Sequence, residues 1–241
     1  MENNRRKKKF YIRTDCSVRE ILAELLGSMF LVMAAISPIV LFTLVLESSI
    51  AIAVLATAIT VAFVLFALIE IFGPISGAHF NPIVTIIMIL EKKISPTKAA
   101  FYIPIQFAGG IIGMLLSHLM FQKEVGGMLF VSDVARNDYA YPAEVIGTFI
   151  LVLAILILVR TKSSRISIIV GLLVAGMLMS TSSTMFANPQ VTVARMFTNT
   201  AAGIRPIDGL VFIAMQTIGA ILAYGVYKIM FRRKTSEEEA K

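Results

Sequence analysis

Two Asn-Pro pairs, Asn81-Pro82 and Asn188-Pro189, stand out as residues whose types and spacing suggest a shared task. Asn is a preferred helix N-cap because its side-chain oxygen accepts a free N–H of the first turn. Pro suits the first helical position, where its missing N–H would have been unpaired anyway. Each pair therefore predicts the start of a short helix, in Phe80-Asn81-Pro82-Ile83-Val84-Thr85 and in Phe186-Ala187-Asn188-Pro189-Gln190-Val191-Thr192. Both stretches lie in apolar, membrane-length surroundings, where irregular backbone is tolerated only if protein buries it or it lines a watery cavity. The two Asn-Pro helices are expected to meet in a pore.

Other groups able to do chemistry are few. Glu24 and Glu144 are ionisable side chains inside apolar spans and are costly unless partnered. Two readings compete for them: the proton site of an ion-coupled secondary transporter, or carboxylates that accept backbone N–H groups beside re-entrant loops. His79 stands next to Asn81, near the expected inner pore mouth, whereas His118 lies in a span and reads as a packed or hydrogen-bonded residue. Neither has metal-ligand spacing, and the single cysteine, Cys16, allows neither an internal disulfide framework nor a zinc cluster, so no metal or cofactor is expected. The hydroxyls of Ser180-Thr181-Ser182-Ser183-Thr184 suit a break in a helix better than a hydrolase, since no nucleophile-elbow pattern is present.

The elements that must position these residues follow from composition. In 241 residues, 57% hydrophobic and 15% charged is too apolar for an ordinary soluble domain and indicates a multi-pass protein of the lipid bilayer. The net charge of +7 does not point to nucleic acid, because the basic residues sit at the two ends and in short connections. Apolar runs at about 20–46, 50–72, 96–121, 141–159, 166–186 and 206–231 are each long enough to cross the hydrocarbon core, which takes about 20 helical residues. Gly73-Pro74 is expected to end the second. The apolar piece after Asn81 runs only to about Leu90, and that after Asn188 to about Phe197; both are too short to span and read as re-entrant.

Six spans place both termini, the 91–98 connection and the 160–165 connection on one side, where the basic runs lie. The positive-inside rule makes that side cytoplasmic. The domain reading is a basic tail at 1–18, with Arg5-Arg6-Lys7-Lys8-Lys9, a channel domain at 19–231, and a cytoplasmic tail at 232–241.

Ala23-Glu24-Leu25-Leu26-Gly27-Ser28 reappears as Ala143-Glu144-Val145-Ile146-Gly147-Thr148, the Asn-Pro motif recurs, and Gln106 with its small neighbours recurs as Gln216-Thr217-Ile218-Gly219-Ala220. Three matched features in one order indicate two halves, about 19–121 and 141–231. Each half has an odd number of spans, so the second is inserted upside down, a 3+3 inverted repeat whose half-helices converge near the midplane. The fold class is an all-α membrane protein with six transmembrane helices and two re-entrant half-helices.

Ser76-Gly77-Ala78-His79-Phe80-Asn81-Pro82 with Val84-Thr85, the repeated Ala-Glu-x-x-Gly-Ser/Thr and the second Asn188-Pro189 resemble the aquaporin and glycerol-facilitator, or major intrinsic protein, family over essentially the whole of 19–231. The resemblance implies a passive channel in the cell membrane for water, glycerol-like polyols, urea or uncharged metalloid acids, with no enzymatic activity and a homotetramer with one pore per subunit. It assigns the pore gate to Asn81, Pro82, Asn188 and Pro189, and favours Glu24 and Glu144 as loop anchors. Two half-helices meeting end to end would place about half a positive charge each at the centre. Two Asn N–H₂ groups would occupy the oxygen of a passing molecule, so that it cannot relay a proton.

The chain also departs from the family pattern. Where the second motif usually reads Asn-Pro-Ala-Arg and that Arg forms the outer filter, this chain has Val191, with Ile83 and Gln190 in place of the usual Ala. Alignment backward from the motifs puts Val61 and Gly176 at the same constriction, giving a wide, apolar Val/Gly/Val filter. Arg195 stands one helical turn beyond Val191, since a step of four residues advances about 6 Å and nearly returns to the same face. It either reaches the pore mouth or faces loop carbonyls and headgroups.

Overall fold

The computed structural model describes residues 15–232, so the Arg5–Lys9 cluster and the end of the C-terminal tail lie outside the described residues. Ser17 opens α1 (Val18–Val40) with a capping box in which its side chain meets the Glu20 N–H and Glu20 reaches back to the Ser17 N–H at 2.7 Å. One π turn, Leu41–Val45, extends α1. Ser49 then caps α2 (Ile50–Ser76). α3 (Pro82–Leu90) is the first short helix, and Ser95 with Pro96 starts α4 (Pro96–Met120). A single turn, α5 (Gln122–Val125), leads through the long connection to α6 (Ala140–Arg160). The chain closes with α7 (Ile166–Ser180), the second short helix α8 (Pro189–Arg195) and α9 (Pro206–Met230). The predicted capped starts at Asn81 and Asn188 are where α3 and α8 begin.

Two span boundaries differ from the sequence expectation. α2 does not stop at Gly73-Pro74 but continues to Ser76, ending where Gly77 takes the left-handed conformation at φ 89°. A proline near a helix end removes one ladder bond, and the turn survives until a residue able to reverse the backbone arrives. α7 is helical only to Ser180, not to 186. Its terminal hydroxyls turn back on the helix, Ser180 to the Gly176 carbonyl at 2.9 Å and Thr181 to that of Met177 at 2.7 Å, and compete with its continuation. Among the described residues, α1 with its π turn, α2, α4, α6 and α9 have membrane-spanning length and hydropathy, and α7 is a shorter apolar helix.

The two halves pack by one rule. In the first, α1 packs on α2 and α4; in the second, α6 packs on α7 and α9, and α2 against α7 joins the halves. The short helices cross over: α3 touches α4 and α9, whereas α8 touches α9 and α4. Close approach depends on glycine at equivalent crossings. A Cβ on Gly109 would stand 2.5 Å from the Leu25 carbonyl oxygen, and one on Gly219 2.4 Å from that of Val145. Gly219→Ala is expected to destabilise the protein by about 1–3 kcal/mol despite its better helix propensity, because α6 and α9 must separate. Gly225→Ala, which would meet nothing within 4 Å, is expected to be neutral or stabilising. Thermal unfolding of both variants in detergent compares them.

Candidate functional site

The two re-entrant connections are built alike around buried carboxylates. Glu24, 0% exposed, accepts the His79 N–H at 3.0 Å, the Phe80 N–H at 2.8 Å, the Ser76 hydroxyl at 2.7 Å and the Gln106 amide at 2.8 Å. Glu144, also 0% exposed, accepts the Phe186 and Ala187 N–H groups, each at 2.9 Å, and the Gln216 amide at 2.6 Å. Both Gln side chains bind a half-helix threonine as well, Gln106 to Thr85 at 2.9 Å and Gln216 to Thr192 at 3.0 Å. The loops need this support because non-glycine residues hold left-handed backbone: Ala78 and Phe80 at φ 50° and 46°, Met185 and Ala187 at φ 38° and 47°. Such conformations persist only where surrounding contacts over-determine them.

Each loop presents an Asn to the other. Asn81 Oδ1 accepts the Ile83 N–H at 2.9 Å, and Asn188 Oδ1 accepts that of Gln190 at 3.2 Å, the expected caps. The amide nitrogens reach across the pseudo-two-fold: Asn81 Nδ2 donates to the Ala187 carbonyl at 2.9 Å and Asn188 Nδ2 to the Phe80 carbonyl at 2.8 Å. An amide nitrogen carries two hydrogens, so this brace leaves one on each for the space beside it. Gln190 Nε2 adds a third link to the Phe80 carbonyl at 3.2 Å. Nothing local in the sequence signals this exchange, because the acceptors are backbone carbonyls more than 100 residues away.

Both asparagines border a cavity of about 310 Å³ with a mostly apolar wall that includes Leu31, Leu65, Leu151 and Leu178. Val61 and Val191 lie on that wall. Gly176 does not: it is exposed on the far side of α7, and the cavity-facing row is Val170, Val174 and Leu178. Those positions recur every four residues, and Gly176, two from its nearest neighbours in the row, falls on the opposite face. The backward alignment assumed a helix through 186, and the break after Ser180 removes that register.

His79 borders the cavity, with Nδ1 3.1 Å from the Thr85 hydroxyl and its ring edge-on to Tyr102. His118 lies between the Met128 carbonyl at 2.9 Å and the Thr198 hydroxyl at 2.8 Å, away from the cavity. Arg195 is 5% exposed and lines the cavity, which excludes the headgroup reading. Its Nη2 donates to the Ala35 carbonyl of α1 at 2.8 Å, and its guanidinium lies 4.1 Å from the Phe186 ring centroid.

Two contributors were missed from sequence. Phe186, the counterpart of His79 in the second loop, borders the cavity. Arg136, from the long connection, lies over the same ring at 5.4 Å. Burial lowers the Arg136 pKa from its ordinary value, against the opposing influence of Glu144 and Asp208. Among the described residues, no group of three or more His, Cys, Asp or Glu side chains is placed to hold a metal ion.

Comparison with known proteins agrees with this geometry. The major intrinsic protein family pattern matches residues 11–186. Aquaglyceroporin AqpS of Rhizobium meliloti (strain 1021) is 35% identical over 228 residues, covering 92% of this chain and 97% of that protein. Aquaporin-4 of Dipodomys merriami is 32% identical over 172 residues, covering 68% of this chain and 52% of that protein. The probable aquaporin PIP2-6 of Oryza sativa subsp. japonica is 37% identical over a shorter stretch of 93 residues. A membrane-embedded helical fold, two half-helices braced through paired asparagines and a full-length relative together place the chain in the major intrinsic protein family.

Proposed function

We propose that the chain is a passive transmembrane channel for water and small neutral solutes, glycerol-like polyols, urea and uncharged metalloid acids among them. The observation that carries this is the meeting of two capped half-helices, braced by Asn81 and Asn188, beside one apolar cavity. Pro82 and Pro189 start those helices, and each N-terminus directs a partial positive charge toward the meeting point, which repels cations and protons. The remaining Nδ2 hydrogens hold the oxygen of a passing molecule, and the proton wire is interrupted there. The chain is a channel and not an enzyme.

Val61 and Val191 form a wide, apolar filter, with His79 toward the inner mouth and Arg195 toward the outer. An apolar wall favours solutes with some hydrocarbon surface over a strict water file, in keeping with the name of the full-length relative. Glu24 and Glu144 act as loop anchors. Their oxygens are taken up by backbone and glutamine donors, an arrangement that does not suit a proton carrier. The charge asymmetry supports cytoplasmic termini in a cell membrane, and family membership supports a homotetramer with one pore per subunit.

In proteoliposomes, water, glycerol, urea and arsenous acid are expected to produce rapid reswelling after osmotic shock; rapid water flux with exclusion of the other three would overturn the wide filter. Glu24→Gln is expected to leave solute flux linear in concentration and indifferent to a proton gradient. Saturable, gradient-driven uptake that disappears in this variant would establish a coupled transporter instead. Glu144→Ala orphans the Phe186 and Ala187 N–H groups, and each is expected to cost about 1–3 kcal/mol in stability, read as a lower unfolding temperature in detergent.

A further inference from the structure

Arg195 on the cavity wall and Arg136 behind it in the 122–139 connection share the Phe186 ring, and their charges find no paired carboxylate. Arg195 uses Nη2 on the Ala35 carbonyl and leaves a buried Nε without a partner. Arg136 uses Nη2 on the Gly203 carbonyl at 2.6 Å and likewise leaves Nε buried and unpartnered. Both guanidiniums lie over the Phe186 ring, and neither takes part in the ion pairs found among the described residues.

The neighbouring acids are committed elsewhere. Glu144 is taken by the Phe186 and Ala187 N–H groups and Gln216. Asp208 binds the Arg205 guanidinium at 2.8 Å, the Tyr141 hydroxyl at 3.0 Å and the backbone N–H of Arg136 at 2.7 Å. A buried cation without a counter-charge is costly, and an aromatic face offsets only part of that cost. A bound anion would supply the rest.

We propose that Arg195, on the shared Phe186 ring with Arg136, forms a binding site for a small oxyanion of the phosphate and sulfate class at the outer mouth. Arg195 offers to the anion the edge of its guanidinium that lines the cavity, and Arg136 adds a second positive charge. The apolar wall of Leu31, Val61 and Val191 gives a fully charged oxyanion no further partners, so it is held and does not pass. The further consequence, that the bound anion obstructs solute flow, rests on the channel reading above.

The test is equilibrium dialysis of radiolabelled inorganic phosphate against the full chain in a neutral detergent at fixed ionic strength. Saturable binding of one phosphate per chain is expected, weakened at least about tenfold in Arg195→Gln and less in Arg136→Gln. Gel filtration verifies that each variant is folded; if Arg195→Gln is not, Arg136→Gln in the connection carries the test. No binding, or equal binding by wild type and the folded variants, overturns the site. Phosphatidylglycerol added to the micelles distinguishes the source, since displacement of phosphate by the lipid would overturn the assignment to a free anion. External phosphate is then added to the reswelling assay. Binding without any solute flux would sink the channel reading and leave the site standing; flux without binding would do the reverse, and binding that leaves flux unchanged would overturn obstruction.

Discussion

Backbone that leaves a helix inside a bilayer loses its internal hydrogen bonds where there is no water to replace them, and here two buried carboxylates take over that role. Glu24 and Glu144 each collect two consecutive backbone N–H groups and a glutamine amide. Everything else at the centre depends on this. The loops hold left-handed, non-glycine residues just ahead of each Asn, and it is this turn that brings Asn81 and Asn188 face to face. Without an anchored turn the half-helices would start with caps but would not share carbonyls.

The pseudo-two-fold extends to small details. Ser76 accepts the Ala78 N–H and Ser183 that of Met185, each at 3.1 Å. Tyr102 packs edge-on to His79 as Phe212 does to Phe186. Where the halves diverge, the two re-entrant loops diverge chemically. The first loop carries His79, an amphoteric ring bonded to Thr85, and the second carries Phe186, a ring whose face supports arginine. One scaffold repeated twice thus presents different chemistry at its two ends, because the anchoring network involves mainly backbone N–H groups and leaves the intervening side chains free to vary.

The sequence made much of this legible. Asn followed by Pro inside an apolar chain predicts a capped half-helix from local chemistry, and both starts lie where expected. The repeated Ala-Glu-x-x-Gly pattern pairs the two acids with the two loops because repeats impose equivalent surroundings. The end of α7 was less legible. The Ser/Thr run at 180–184 is compatible with a continued span as well as with a break, but the side-chain hydroxyls bond back to the last turn and end the helix early, and the cavity-facing row is Val174 and Leu178 rather than Gly176. Arg195 was ambiguous for a similar reason, since helical spacing gives its face but not whether that face meets lipid, loop or cavity.

What the sequence by itself determined is the membrane class, the inverted repeat and the two capped starts; these rest on local propensity, composition and period, which belong to the chain before it folds. The tertiary structure alone decided the exchange of Asn amides with the opposite loop's carbonyls, the register of α7, and the gathering of Arg136, Phe186 and Arg195 around one ring. Those contacts join residues far apart in the chain, and their partners are backbone atoms or ring faces that every sequence supplies. Only the packing of α3 and α8 across the two halves selects which of them meet.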